Sequence, residues 1–433
     1  MAQRPPMNRN SLADWLAWQE SLHWRSIDLG LTRLLRVYER LALPAFKFPV
    51  ITVGGTNGKG SCVALLASIL RAGGYRVGTF TSPHLLRYNE RIQIDGCEIS
   101  DASLIAAFER IEAVRGEESL TYFEFNTLAA LLIFDTAGLD AAVLEVGMGG
   151  RLDTVNLVDA DVALVTSIGL DHCEYLGTDL ESIGREKAGI FRPHQVAIYG
   201  SRAMPRSIAE TAQQIGAELR RLGVQFDYSR AGDVWHWRGL ASERRSLPLP
   251  GLIGDVQFDN ASAVLAVLEA LQRRLPLTAD AIANGLRAAQ LPGRFQVQPL
   301  QGVTWIFDVA HNPAAAETLA ARLAAMASAG RTIAVCGIVG DKDIEGVARI
   351  LTPHIHHWIV TGLNSPRALS AEQLGQRIAS VGAAVAGKES TVAEACELAR
   401  SEARPGDRVI VFGSFSTVGP ALEWIEKISN AGH

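Results

Sequence analysis

Four glycines, Gly54, Gly55, Gly58 and Gly60, surround Lys59 in the stretch 50-VITVGGTNGKGSCVALLA-67, between an apolar run and an alanine- and leucine-rich one. At such a strand-to-helix junction backbone N–H groups converge on a phosphate, the helix N-terminus adds its positive end, and a side chain would block close approach. Lys59 supplies a point charge for the outer phosphates and Ser61 a hydroxyl for phosphate or metal, so Thr56, Asn57, Gly58, Lys59, Gly60 and Ser61 read as a nucleotide loop. The spelling departs from Walker A, because Gly60 stands between Lys59 and Ser61. A plain glycine-rich turn is the alternative, and the order strand, loop, lysine, helix speaks against it.

A phosphate loop serves a kinase, a GTPase or a ligase equally well, so polar residues at other strand ends must decide. Glu145 ends 141-AAVLEV-146 before 147-GMGGRLD-153, where a carboxylate can hold Mg²⁺. His172 follows 161-DVALVTSI-168 within 169-GLDHCEYLG-177, and Ser82 follows 76-RVGTF-80 within 81-TSPHLLRYNERI-92. A turn cap at Glu145 and a satisfied structural histidine at His172 are the plain alternatives. The shared register favours function, since all three fall at the carboxyl ends of strands, the edge at which parallel sheets bind ligands. Farther on, 304-TWIFDVAHNPAAAETLA-320 puts Asp308, His311, Asn312 and Pro313 at the end of an apolar strand. Asp308 there suits ribose hydroxyls or, equally, a helix cap or turn.

The elements that must carry these residues are legible as short β-rich runs alternating with helical stretches, the pattern of α/β layers around parallel sheets. Runs such as 48-FPVITV-53, 141-AAVLEV-146 and 161-DVALVTSI-168 are apolar throughout, as strands covered on both faces are. A polar, Pro/Gly-rich passage, 240-LASERRSLPLPGLIGDVQFDN-260, precedes helical sequence to about Arg287 and then 291-LPGRFQ-296. A second alternation follows, with strands near 304–308, 331-RTIAVCG-337, 357-HWIVTG-362 and 408-RVIVFG-413. A chain of 433 residues exceeds one ordinary core. The expected fold class is α/β: a P-loop NTPase-like N-terminal domain with a mostly parallel sheet over residues 1–296, and a smaller Rossmann-like α/β C-terminal domain over 297–433, with the hinge close to Pro292–Arg294.

The balance of charge, net −5 with 20% charged residues, leaves no basic footprint for nucleic acid. Five scattered cysteines without C-x-x-C spacing suggest neither a disulfide framework nor a zinc knuckle, and a reducing cytosol fits best. The first residues lack the apolar core of a signal peptide, and runs such as 128-LAALLIF-134 fall far below membrane-spanning length, so a soluble, cytoplasmic protein with no membrane partner is expected.

The loop GTNGKGS resembles that of ATP-dependent amide ligases, the Mur ligases and the folylpolyglutamate and dihydrofolate synthases, and the glycine after the lysine leans to the folate branch. TSPHL, LEVGMGGRLD, DH and GREKAGI follow in the order found in the bifunctional dihydrofolate synthase/folylpolyglutamate synthase family, and the D-x-A-H-N-P of FDVAHNP is a signature of these ligases. The resemblance spans nearly the whole chain. It implies Mg²⁺ held by Ser82, Glu145, His172 and Lys187, the lysine carbamoylated by carbon dioxide. A free ammonium would repel the cation, whereas a carbamate offers oxygens and forms from a neutral amine, which burial favours. Without the resemblance, Lys187 reads as an exposed helix lysine paired with Glu186 or Glu181. The resemblance also implies that Asn260, Arg294 and Asp308 contact ATP, with Arg294 stabilising charge on the phosphates during transfer; a hinge arginine in a surface ion pair is the alternative.

For substrates, the resemblance places a pterin against 121-TYFEFNTLAALLIF-134, with Phe123 stacking on the ring beside Tyr122 and Thr121 or Glu124 bonding its edge. A helix start with Thr121 as N-cap and Phe123 and Phe125 in the core competes with this. Leu152, Asp153 and Thr154 in 150-GRLDTVN-156, and the early 26-SIDLGL-31, match segments around the same pocket. His311 and Ser414, the latter in 412-FGSFSTVG-419, are candidates for holding glutamate, whereas the triplet His354, His356, His357 reads as ordinary surface chemistry. The implied activity uses ATP and Mg²⁺ to turn a carboxylate into an acyl phosphate that the amine of L-glutamate attacks, on dihydropteroate, on tetrahydrofolate and on its polyglutamates, in a monomer. A Mur-type ligase would be expected to carry an N-terminal domain for a UDP group, and 49 residues precede Val50. A nucleotide-operated switch would leave LEVGMGGRLD, GREKAGI and FDVAHNP without a shared role.

Overall fold

Runs that stay apolar at every position are strands buried on both faces, and these strands make the centre of the first of two compact units. The computed structural model describes residues 9–25, 27–326, 330–364 and 368–431, so Ser26 of the 26–31 segment lies outside the described residues. The first unit comprises Met1–Ser82, Tyr88–Gly251 and Gln257–Gln290; the second comprises Pro83–Arg87, Leu252–Val256 and Leu291–His433.

In the first unit, β1 (Val50–Gly54), β2 (Val77–Phe80), β3 (Ile92–Ile94), β4 (Cys97–Glu98), β5 (Ala141–Glu145), β6 (Val162–Val165), β7 (Val196–Tyr199) and β8 (Glu218–Arg221) form an eight-stranded sheet of order β4-β3-β2-β5-β1-β6-β7-β8. All neighbours from β2 to β8 are parallel, and only β3 and β4 pair antiparallel at one edge. Every residue of β1, β2, β5 and β6 is buried, because helices such as Lys59–Ala72 and Tyr122–Thr136 cover the faces. Gly285 lets the helix Ala279–Ala288 press onto Lys59–Ala72, since a Cβ there would lie 2.3 Å from Ile69 Cα. A three-stranded antiparallel sheet, β9 (Asp227–Ala231), β10 (Val234–Arg238) and β11 (Glu243–Pro248), packs Trp235 and Trp237 inward, with the Trp237 indole N–H donating 3.1 Å to the Ser262 carbonyl.

The second unit holds a six-stranded sheet: β12 (Gln296–Leu300), β13 (Val303–Asp308), β14 (Thr332–Cys336), β15 (His357–Thr361), β16 (Val385–Glu389) and β17 (Arg408–Phe412), in the order β12-β13-β17-β14-β15-β16. Only β12 runs antiparallel. Alternate residues build a core on each face: Ile306, Ala334, Trp358, Val360, Ile410 and Phe412 on one, Trp305, Phe307, Val335, Ile359, Val409 and Val411 on the other. The expected mostly parallel α/β architecture in two parts is therefore present. Among the described residues no helix is long and apolar enough to cross a membrane.

Candidate active site

The carboxyl end of the first sheet gathers residues far apart in sequence. β1 runs into the loop at Gly55, and Gly58, with φ +89, opens the helix Lys59–Ala72. A side chain at Gly58 would strike Asn260, whose Oδ1 would lie 2.6 Å from the added Cβ, so Asn260 borders the phosphate loop within this unit. Lys59 Nζ donates to the carbonyls of Gly55 and Thr56 at 3.1 and 3.2 Å. Lys187 Nζ donates to the same Gly55 carbonyl at 2.9 Å.

Lys187 is thus not an exposed helix lysine. It is 5% exposed, while Glu186 pairs instead with Arg151 at 2.7 Å and Glu181 accepts the N–H groups of Arg206 and Ser207. Burial, aided by the nearby Lys59 charge, lowers its pKa to about 7, so a neutral amine is accessible near physiological pH. Two glycines bring it there. A Cβ on Gly150 would lie 2.8 Å from the Glu186 carbonyl, and one on Gly189 would lie 2.3 Å from Arg151 Cβ. The backbone of GMGGRLD can therefore interlock with that of GREKAGI, with Arg151 N–H donating 2.8 Å to the Glu186 carbonyl.

Glu145, buried at the end of β5, accepts the Ser82 N–H at 3.2 Å. His172 follows β6 with φ 50, and the Asp171 carboxylate accepts its N–H at 2.9 Å. Among the described residues no three of His, Cys, Asp and Glu converge as a metal site; the four expected ligands include only two of those types. A carboxylate and a hydroxyl suit a hard cation, and a protonated lysine does not. The low proton affinity of Lys187 removes that objection, because the neutral amine can be converted to an oxygen donor.

The residues expected around a pterin divide. Thr121 and Glu124 are buried and close a capping box at the start of helix Tyr122–Thr136: Thr121 Oγ1 accepts the Glu124 N–H at 3.2 Å, and Glu124 accepts the Thr121 N–H at 2.7 Å. Glu124 also takes the Arg33 guanidinium at 2.9 Å. Their polar atoms are thus engaged by a helix terminus and a partly buried arginine, the arrangement the competing helix-start reading describes. Phe125 is core, but Phe123 is only partly buried, stacks 5.8 Å from Phe80 and lies over Gly147, where a Cβ would come within 2.5 Å of its ring. Tyr122 meets Tyr88 edge-on at 5.6 Å. Leu152 is partly buried, and Thr154 bonds the Thr127 hydroxyl. Asp153 accepts the N–H groups of Met148 and Val155 at 2.8 and 3.1 Å, and burial raises its pKa to about 6.

In the second unit Asp308 ends β13. Its two oxygens accept the N–H groups of Phe295 and Ala310, each at 2.9 Å; burial pushes its carboxyl up, against the pull of Arg294 and Arg322. Arg294 is half-buried over the Phe415 ring at 5.5 Å. His311 Nδ1 donates to the Val309 carbonyl at 2.8 Å, and Asn312 caps helix Pro313–Ala325 by accepting the Ala315 N–H at 2.9 Å. Ser414 and Thr417 hydroxyls lie 2.9 Å apart. His356 and His357 are structural, one accepting the Thr332 N–H and the other pairing with Glu402 at 2.7 Å. Sequence reasoning missed Gly150, Gly189, Thr166 and Ser167; the hydroxyl pair in 161-DVALVTSI-168, at the end of an otherwise apolar run, was the signal that could have found the last two.

A strand-loop-helix nucleotide cradle with a buried lysine beside it defines an ATP-using ligase of the Mur type, and the comparisons agree. Residues 53–268 match the Mur ligase middle domain, and residues 293–415 the Mur ligase, glutamate ligase domain. The dihydrofolate synthase/folylpolyglutamate synthase of Escherichia coli (strain K12) is 45% identical over 431 residues, covering 99% of each chain. The chain belongs to the dihydrofolate synthase/folylpolyglutamate synthase family. A solved structure of E. coli FolC in complex with DHPP and ADP superposes with a TM-score of 0.91 at 46% identity, covering 97% of this chain and 99% of that one. A crystal structure of a bifunctional folylpolyglutamate synthase/dihydrofolate synthase with Mn, AMPPNP and L-glutamate bound gives 0.89 at 45% identity, covering 98% and 100%.

Proposed function

We propose that the protein is an ATP-dependent ligase that joins L-glutamate to dihydropteroate, forming dihydrofolate, and to tetrahydrofolate and its polyglutamates. The observation that carries the reading is Lys187: 132 residues from Gly55 along the chain, it is buried on the carbonyl that Lys59 also meets. A nucleotide-operated switch would leave GREKAGI, the segment that carries this lysine, without a role shared with LEVGMGGRLD and FDVAHNP. The ATP γ-phosphoryl group passes to the substrate carboxylate, its bond to the ADP oxygen breaking, and the amine of glutamate then displaces phosphate to leave an amide.

Lys59 and the loop N–H groups of 56–61 take the phosphates, and Arg294 stabilises charge as it develops. Asn260, which borders the loop at Gly58, and Asp308 contact ATP. Ser82, Glu145, His172 and Lys187 as its carbamate would hold Mg²⁺, which when bound neutralises phosphate oxygens. Phe123 and Tyr122 carry the pterin, with Leu152, Asp153 and Thr154 lining its approach, while Thr121 and Glu124 hold the helix that presents them. His311 and Ser414 receive glutamate. We assign the nucleotide and pterin to residues 1–296 and the glutamate-ligase part to 297–433, and place the protein in the cytoplasm as a monomer without nucleic-acid or membrane partners. Its unpaired cysteines suit a reducing compartment.

Purified protein with ATP, Mg²⁺ and glutamate is expected to release phosphate with dihydropteroate and with tetrahydrofolate, and not with a UDP-muramoyl peptide. No turnover on either pterin would sink the assignment.

A further inference from the structure

We infer that Thr166, assisted by Ser167, is a positioning residue that aims the phosphate loop; the inference rests on reading 54–61 as the ATP loop. Thr166 follows β6 and is 2% exposed. Its hydroxyl lies 2.6 Å from the Asn57 carbonyl and 3.2 Å from the Gly54 carbonyl. The Gly54 carbonyl already accepts the Thr166 N–H at 2.9 Å, so the single hydroxyl proton goes to Asn57.

Ser167 Oγ donates to the same Asn57 carbonyl at 3.1 Å and accepts the Asn57 N–H at 3.4 Å. Two successive hydroxyls therefore hold both backbone groups of one loop residue. In a trans peptide the C=O and N–H point in opposite directions. Drawing the Asn57 carbonyl toward Thr166 turns the Gly58 N–H the other way, out of the loop toward its phosphate side. The glycine at 55 answers to the same clamp: a Cβ there would sit 1.9 Å from Thr166 Oγ1. That glycine makes room for a hydroxyl beneath the loop rather than for phosphate above it.

A further pin ties the loop to the segment that leads to His172. Thr56 Oγ1 donates to the Gly169 carbonyl at 3.1 Å and accepts the Gly169 N–H at 3.0 Å, while the Thr56 N–H donates to the Ser167 carbonyl at 2.7 Å. The clamp thus sets the phosphate loop in register with the strand end beside it.

Titration with ADP, with no turnover required, tests the inference on wild type, Thr166→Val, Thr166→Ser and Ser167→Ala. Thr166→Val keeps the shape but removes the proton, and is expected to weaken ADP about tenfold and raise KM for ATP by a similar factor, the worth of one buried hydrogen bond. KM for dihydropteroate should hold, and Thr166→Ser should restore ADP affinity to within about threefold. ADP binding unchanged in Thr166→Val, or Thr166→Ser as weak as Thr166→Val, would overturn the clamp. Should Thr166→Val fail to fold, Ser167→Ala decides, with about threefold weaker ADP at an unaltered melting temperature expected and wild-type affinity overturning it. Wild type that binds ADP yet ligates neither pterin would count against the substrate assignment alone.

Discussion

At the carboxyl end of the first sheet two lysines converge on one carbonyl, and burial has shifted both Lys187 and Asp153 toward their neutral forms. At the carboxyl end of the second sheet a carboxylate, an amide and a hydroxyl are tied into the backbone: Asp308 accepts two N–H groups, Asn312 caps a helix, and Thr417 donates 2.6 Å to the Gly337 carbonyl. Burial alone does not separate the two ends, since it raises the Asp308 carboxyl as well. The difference lies in how the buried charge is met. Backbone N–H groups fix a carboxylate in place, Asp153 as well as Asp308, whereas the Lys187 amine on a carbonyl beside another lysine stays ready to change its chemistry.

The contrast breaks first at Lys59. Lys59→Ala should lower ligation about 10³-fold with a melting temperature near wild type, because one charged donor to the phosphates is lost and no core is disturbed; near-normal turnover would remove the phosphate role. Lys187→Met should cost at least about 10²-fold in kcat, and activity indifferent both to it and to carbon dioxide depletion would sink the carbamate.

The same variant has a stability signature in protein free of divalent cation and carbon dioxide. Lys187 titrates at about 7 in the fold and 10.5 once exposed. Below pH 7 both states carry the proton and the fold bears the full cost of the buried charge. From pH 7 to 10.5 the unfolded chain binds the extra proton, so wild-type stability rises with pH. The advantage of Lys187→Met in denaturant midpoint should therefore be largest near pH 7 and shrink toward pH 10; an advantage independent of pH would mean that the amine is not buried.

Glu124→Ala should lower unfolding free energy by about 2 kcal/mol, since it opens a capping box and removes one of the two carboxylates that Arg33 meets, the other being Asp28. An altered KM for dihydropteroate at unchanged stability would instead return Glu124 to the pterin. The smallest effect belongs to the second sheet, where Asn312→Ala should cost about 1 kcal/mol as the loss of a helix cap, read from the denaturant midpoint. A kcat collapse there without loss of stability would erase the contrast between the two ends.

Much of this was readable from local pattern. The phosphate loop is a contiguous spelling, and the strand ends at Glu145, Ser82 and Asp308 follow from apolar runs that stop at a polar residue. What escaped depended on packing between distant segments. Thr121 and Glu124 carry the spacing of a capping box, yet only the fold brings Arg33, 91 residues away along the chain, onto Glu124. Lys187 in a helix beside two glutamates looks like a surface lysine, because nothing local records that Gly150 and Gly189 let two backbones meet.

The amino-acid sequence by itself determined the alternation of buried strands and helices, the glycine-lined nucleotide loop and the order of motifs that marks the family, because each is written within a few residues. Only the tertiary structure decided which side chains change their chemistry. The proton affinity of Lys187 and the aim of the Asn57 carbonyl are set by burial, by a neighbouring charge and by hydroxyls more than a hundred residues away, 110 in the case of Ser167 and Asn57, and those are properties of the packed interior rather than of any local stretch.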